Sequence, residues 1–282
     1  MWANSPPGPR GRCQNSAMRL AWLTDIHLNF LDPPGVAAFL RDVAAVPADA
    51  VVLSGDVGEA DDVARHLAAL DAAAQKPVYF VLGNHDFYRG SIAGVRARVS
   101  ALCSAGPNLR WLPEAGVVPL TGETGVVGHD GWADGRLGDY WGSDVELSDW
   151  GLIADLAGLD RRDRLAKLHE LGDEAAAHFR AVLPDALARF RHVLVLTHVP
   201  PFRDACWYRG RVSGDDYLPH FACRAVGDVL ADAMTSRPDR RMTVLCGHTH
   251  GAGEAQLLPN LWVLTGGAVY GRPAVQRVLE VD

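Results

Sequence analysis

Lysine is nearly missing from this chain of 282 residues: Lys76 and Lys167 are the only two. Arginine makes up the rest of the 27 basic residues, set against 34 acidic ones, and the formal net charge is -7. There is no extended basic track for a nucleic-acid backbone, and bulk attraction to DNA, RNA or anionic lipid is excluded as a driving force. Long apolar runs are missing too; none approaches the ~18–20 residues of a membrane-spanning helix. The cysteines are few and odd in number: Cys13, Cys103, Cys206, Cys223 and Cys246, with no C-x-x-C pair. That argues against a disulfide framework and a structural thiolate zinc site, and for a reducing, cytoplasmic setting.

What is present is ordinary globular material. Hydrophobic residues are 48% and charged residues 22%, enough for one large domain with a buried core. Residues 1–17 are rich in Pro, Gly, Asn and Ser and read as a disordered tail. Met18 directly precedes the first strand-like run and reads as the native start. Peptides from 11–17 in a mass spectrum of the endogenous protein would reject that start. The remainder, 18–282, reads as a single domain with inserted segments at about 128–191 and 201–221.

Apolar runs at 19–24, 50–53, 78–82, 117–120, 125–127, 192–196, 242–246, 261–264 and 275–281 read as strands. Helical spacing falls at 36–46, 61–74, 91–103, 152–191 (with Pro184 near a helix start) and 222–234. Alternating strands and helices in the first half predict parallel βαβ units. Consecutive strands after 240 predict an antiparallel or mixed second sheet. The simplest architecture is two sheets face to face with helices outside, and ligands beyond the carboxyl ends of the strands.

Five predicted strands end in metal-competent residues. They are Asp25-Ile26-His27, Gly55-Asp56, Gly83-Asn84-His85-Asp86, Thr197-His198 and Gly247-His248-Thr249-His250. If the chain stays extended, Asp25 and His27, or His248 and His250, point to one side and can grip one ion. Each motif alone is common in loops; their conjunction is not. Oxygen and imidazole donors without thiolate suit Mn²⁺, Fe, Co²⁺, Ni²⁺ or Zn²⁺ better than Mg²⁺ alone. Cys246, beside an apolar run, reads as packed core.

This ordered set resembles the calcineurin-like metallophosphoesterase superfamily, from about residue 19 to 270. The resemblance implies an α/β fold, a four-layer αββα sandwich of two mixed β-sheets flanked by helices, and a site for two divalent metal ions. It implies Asp25, His27, Asp56 and His250 on the first ion, and Asp56, Asn84, His198 and His248 on the second. It implies His85 as a general acid facing the leaving oxygen, with Asp86 orienting it. The run Gly55-Asp56-Val57-Gly58-Glu59-Ala60-Asp61 departs from the Gly-Asp-x-x-Asp-Arg-Gly of protein Ser/Thr phosphatases, which argues against a phosphoprotein substrate. The broad bacterial group of small phosphoesterases is the nearer likeness.

A hydroxide bridging two such ions can attack a phosphorus in line while His85 protonates the departing oxygen. The expected substrate is a small phosphate ester, with a nucleotide-like diester ahead of a monoester. A nuclease would need the missing basic track, and an inactive protein-binding scaffold would have lost ligands. The oligomeric state is left open. Segments 128–150 and 201–221 are expected to shape the substrate pocket, with Trp132, Arg136, Trp207 and Arg209 as substrate contacts. His129 and His220 read as hydrogen-bonded histidines. Asp149 reads as part of a solvated helix start.

Overall fold

The computed structural model describes residues 17–282. Of the tail expected at 1–17, all but Ala17 lies outside the described residues. The first half is a βα alternation: β1 (Met18–Leu23), α1 (Pro33–Ala45), β2 (Ala50–Ser54), α2 (Val63–Ala74), β3 (Val78–Val81), α3 (Ile92–Ala105) and β4 (Leu109–Trp111). Local chemistry starts the helices. Asp32 accepts the Gly35 N–H at the head of α1, where prolines occupy the first turn. Ser91 accepts the Gly94 N–H for α3. Both supply the cap that an opening turn lacks.

The chain continues through α4 (Leu112–Ala115), β5 (Val118–Pro119), β6 (Thr124–His129), α5 (Asp149–Leu152), α6 (Arg161–Arg189) and β7 (His192–Thr197). A short hairpin follows, β8 (Trp207–Tyr208) and β9 (Arg211–Val212), then α7 (Leu218–Phe221) and α8 (Arg224–Thr235). The last strands are β10 (Arg241–Cys246), β11 (Gly253–Leu258), β12 (Leu261–Thr265) and β13 (Arg277–Val281).

One sheet has the order β13-β1-β2-β3-β4 and the other β11-β12-β10-β7-β6-β5. The first is parallel except at β13. The second is parallel inside, with antiparallel edges at β11 and β5. The strands after 240 therefore divide: β10, β11 and β12 belong to the second sheet, while β13 crosses to the first.

Strand alternation sorts the side chains into layers. Leu20, Trp22, Val52 and Val81 of the first sheet pack against Val126, Leu194, Leu196 and Leu245 of the second. The residues between them face outward. Ala21, Leu23, Leu53 and Phe80 meet Phe39, Leu67 and Val95 of α1–α3. Val193, Val195 and Val244 meet Phe179, Leu183, Val226 and Leu230 of α6 and α8. This is the expected four-layer αββα sandwich. Strands buried on both faces read as continuous apolar runs, which is why they were visible in the sequence.

One local expectation is corrected. Pro184 lies inside α6, which runs unbroken from Arg161 to Arg189. Leu183, Ala186 and Leu187, buried on its inner face, hold the helix through the missing N–H. Strands β4 and β11 carry no apolar run long enough to mark them in the sequence. The first has only three residues, and the second is half exposed, lacking a continuous apolar run.

His192, buried at the start of β7, hydrogen-bonds the Thr243 hydroxyl at 2.9 Å, and Arg241 donates to its other nitrogen at 3.3 Å. Burial, then the Arg241 charge, lowers its pKa to about 4. The unfolded chain takes up that proton near pH 6.5, ahead of the folded one. Stability is therefore fully present above pH 6.5 and declines as pH falls toward 4, by on the order of 3 kcal/mol at that residue. In denaturant titrations, His192→Gln is expected to lose less stability than wild type between pH 7 and 4.5. Equal losses would contradict this account.

Candidate metal centre

The motif residues converge beyond the carboxyl ends of β1, β2, β3, β7 and β10. Asp25 and His27 follow β1, Asp56 follows β2, Asn84 and His85 follow β3, His198 follows β7, and His248 and His250 follow β10. The extended-chain reason for pairing i with i+2 does not hold. Asp25, His27, Asp56, His248 and His250 all sit at positive φ, between 40° and 70°. Backbone hydrogen bonds keep the first two in place: Asp25 N–H donates to the Gly55 carbonyl and His27 N–H to that of Asp56, both at 3.0 Å. Left-handed backbone at five non-glycine residues is costly, and the packed sheets hold it at the one place where chemistry is expected. Close approach also decides two glycines. A Cβ on Gly83 would overlap the Asp56 carboxylate and one on Gly247 the Asp25 carboxylate.

Asp25, His27, Asp56 and His250 offer one donor atom each, all within 4.8 Å of one another. His27 Nε2 lies 3.2 Å from His250 Nε2 and 3.6 Å from Asp56 Oδ2. His250 Nε2 is 3.5 Å from Asp25 Oδ1. On the other side of Asp56, its Oδ1 lies 3.4 Å from His198 Nε2. Asn84 Oδ1 is 3.0 Å from both His198 Nε2 and His248 Nδ1. Asp56 is thus shared by two donor sets, one through each oxygen.

Hydrogen bonds behind the rings turn the other ring nitrogens inward. His198 Nδ1–H donates to the Ser54 carbonyl at 2.9 Å and His248 Nε2–H to the His220 carbonyl at 2.8 Å. The Asn84 amide points its oxygen at both histidines, because its Nδ2 donates to Asp149 Oδ1 at 2.9 Å. At neutral His248 the bare Nδ1 and the Asn84 amide oxygen, 3.0 Å apart, are two acceptors facing each other. Such an arrangement fits a cation between them, and the oxygen and imidazole donors suit a divalent ion.

The electrostatics agree. Burial lowers His198, but Asp56, Asp25 and the Ser54 carbonyl outweigh it and hold the imidazole up at about 10. Burial also opposes His250, and Asp25 beside it wins and raises its pKa. Burial drives His27 down to about 4, as it does His248, where the His198 charge adds to the effect. The carboxylates therefore draw positive charge into the site. A metal ion binding there must displace the His198 proton, so uptake is coupled to proton release.

His85 stands beside the donor sets. Its ring stacks on Tyr88 at 4.2 Å between centroids and lies 4.6 Å from His27. Its Nδ1 is buried without a partner, and its Nε2 is 3.5 Å from the Tyr270 hydroxyl. The expected orienting role of Asp86 is corrected. Its oxygens accept the backbone N–H groups of Asp56, Val57, Gly58 and Gly83, at 2.8–3.1 Å, and none of its hydrogen bonds reaches His85. Asp86 braces the two ligand loops against each other. Burial and the Asp56 charge push its pKa up to about 7 against the Gly83, Gly58 and Val57 N–H donors.

A cleft of about 310 Å³ opens over the centre, walled by His85, Tyr88, Glu146, Leu147, Tyr208, Phe221, Tyr270 and, from the donor sets, Asn84, His248 and His250. Both inserted segments reach it, but not through the four residues expected to contact substrate. Trp132 is buried and packs on Phe87 at 5.7 Å. Arg136 is held by Asp134 at 3.1 Å and Asp173 at 2.9 Å. Trp207 lies against the backbone of Gly251 and Gly253. Arg209, at the hairpin tip, covers the Tyr208 ring at 5.0 Å. Burial takes Trp132 inward and ion pairs hold Arg136, while Arg209 stays exposed on the Tyr208 ring. Asp149, expected in solvent, is buried and holds Asn84. Tyr270 and Phe30, unremarked in the sequence, pack as tilted rings at 4.7 Å beside His27 at the mouth.

Among the described residues, no helix is long and apolar enough to cross a membrane. The model of the calcineurin-like phosphoesterase family matches residues 18–252, a span that includes every candidate ligand from Asp25 to His250. No curated protein matches the sequence. Among solved structures, the chain is similar to a phosphopantetheinyl hydrolase from Mycobacterium tuberculosis, with 17% identity and a TM-score of 0.62 over 93% of this chain and 95% of that one. It is similar to a dimetal phosphatase from Danio rerio, with 16% identity and a TM-score of 0.56 over 91% and 89%. It is also similar to the protein TT1561 of Thermus thermophilus, with 15% identity and a TM-score of 0.55 over 95% and 99%. At such identities these likenesses speak to the fold. With the two-sheet sandwich, the cluster of Asp and His donors and a family match from the first strand past the last ligand motif, the chain belongs to the calcineurin-like phosphoesterases, metal-dependent hydrolases of phosphoric esters.

Proposed function

We propose that the protein hydrolyses a small phosphodiester with an organic, nucleotide-like group, using two divalent cations and His85. The observation that carries this reading is the sharing of Asp56 between two donor sets. Asp25, His27, Asp56 and His250 would hold one cation, and Asp56, Asn84, His198 and His248 the other. Bound there, two divalent ions supply a hydroxide near neutral pH and neutralise charge on the phosphoryl oxygens.

The chain's own groups account for the rest. His85 presents Nε2 toward the cleft, beside Tyr270 and off the donor sets. That is the place for a proton donor to a departing alkoxide. Tyr88 and His27 pack on its ring and fix its direction. Among the described residues, those walling the cleft include no lysine or arginine and one carboxylate outside the ligand shell, Glu146, besides Asp149 behind Asn84. Nothing in that wall is built to clamp the extra charge of a monoester dianion, as an arginine fork would be. Tyr208, Phe221, Tyr270 and neighbouring Phe30 instead offer aromatic surface to an organic substituent.

The test is turnover of bis-p-nitrophenyl phosphate beside p-nitrophenyl phosphate by chelator-stripped protein given Mn²⁺. The diester is expected to have the higher kcat/KM, by ~10-fold or more, the factor that about 1.4 kcal/mol of discrimination gives. A faster monoester would overturn the diester preference. No cleavage of either, with Mn²⁺ or any other added metal, would overturn the catalytic reading.

A further inference from the structure

We propose that Asp149 is a positioning residue of the metal centre, one that makes Asn84 an oxygen donor to the second cation. The inference rests on the two-cation reading and deepens it. Asp149 belongs to the inserted segment, 65 residues from Asn84, and is buried. Its Oδ1 accepts twice, from Asn84 Nδ2 at 2.9 Å and from the Tyr88 hydroxyl at 2.7 Å. An amide side chain can flip end for end. A carboxylate only accepts, so it selects the orientation that sends the Asn84 nitrogen outward and its oxygen toward His198 and His248. In the flipped form an NH₂ group would face the cation.

The support is rigid. The segment carrying Asp149 is stapled to the loop carrying Asn84. Arg89 N–H donates to the Leu152 carbonyl at 2.7 Å, Ala154 N–H to that of Gly90 at 2.9 Å, and Ile92 N–H to Asp155 Oδ2 at 2.8 Å. Residues 89–92 and 152–155 are thus joined by three hydrogen bonds. The two donor sets also differ in charge. The first has two carboxylates, Asp25 and Asp56. The second shares Asp56 and adds only Asn84, His198 and His248. Asp149 places a further carboxylate directly behind the second set.

The test is Mn²⁺ binding to chelator-stripped protein, counted by calorimetry and by loss of the free Mn²⁺ electron paramagnetic resonance signal. Asp149→Ala is expected to weaken the second Mn²⁺ by ~10–100-fold, the usual effect of losing such a partner, and to leave the first bound. Asp149→Asn, whose Oδ1 still accepts, should recover most of that loss. The exchanged pair covers the case in which Asp149→Ala does not fold. Asn84→Asp alone sets two carboxylates face to face and should lose the second ion. Asn84→Asp with Asp149→Asn restores a donor–acceptor pair and should regain it.

Wild-type affinity for both ions in Asp149→Ala would overturn the proposal, as would equal loss of both. So would a doubly exchanged protein that binds no better than Asn84→Asp. If wild type itself takes up fewer than two Mn²⁺, the two-cation reading fails, and this inference with it.

Discussion

Asp56→Asn is expected to lose turnover and weaken binding at both metal positions while the fold stays intact. Each Asp56 oxygen faces a different donor set, Oδ2 toward His27 at 3.6 Å and Oδ1 toward His198 at 3.4 Å. The amide can offer an oxygen to one set only, and turns an NH₂ toward the other. It also removes a charge from between two cations. Charge stabilisation of several kcal/mol is at stake, which at about 1.36 kcal/mol per decade is ~10³-fold or more in rate. The measurement pairs steady-state turnover with metal content by mass spectrometry and a thermal melt. Wild-type turnover and metal content would contradict the shared-ligand assignment. Loss at one position only would make Asp56 a terminal ligand.

His85→Ala should behave differently. Its side chain contributes to neither donor set, so metal content should be retained. In the proposed mechanism its loss removes the proton donor, and general acids contribute ~10²–10⁴-fold. The deficit should approach that size on an alkyl phosphodiester, whose leaving oxygen must be protonated. It should shrink on a nitrophenyl ester, whose leaving group departs as a stable anion. A deficit of equal size on both substrates would make His85 a positioning or charge-bearing group. Loss of metal would make it a ligand.

Much of this site was legible from order alone. Asp25, His27, Asp56, Asn84, His198, His248 and His250 each stand within a few residues of an apolar run, and parallel strands in one sandwich bring such ends to one edge. Their local conformation was not legible, since left-handed backbone at Asp25 or His250 is stabilised by the neighbouring loop and not by the residue's own preference. Asp149 was misread because its neighbours, Ser148 and the Gly/Asp-rich run before it, have the composition of a solvated turn. What buries it is a contact 65 residues away. Tyr270 was missed for the same reason, lying 185 residues from His85. Asp86 was assigned to His85 because the two are adjacent in sequence, while four backbone N–H groups from two loops converge on its carboxylate instead.

The aromatic side chains show the other limit. Trp132 and Trp207 look like pocket residues by type and neighbourhood, yet each has packing that takes it away from the cleft. Tyr208 and Phe221, from the second of those segments, do wall it. Composition located the segments that reach the cleft, and only packing decided which rings face it.

The most direct test of a two-cation centre is a stepwise Mn²⁺ titration of chelator-stripped protein followed by low-temperature electron paramagnetic resonance. Two ions sharing the Asp56 carboxylate, ~3.5–4 Å apart as in two-metal sites generally, should bind at two per chain and give the spectrum of an exchange-coupled pair. One ion per chain at saturation, or two with only uncoupled single-ion signals, would contradict the shared carboxylate.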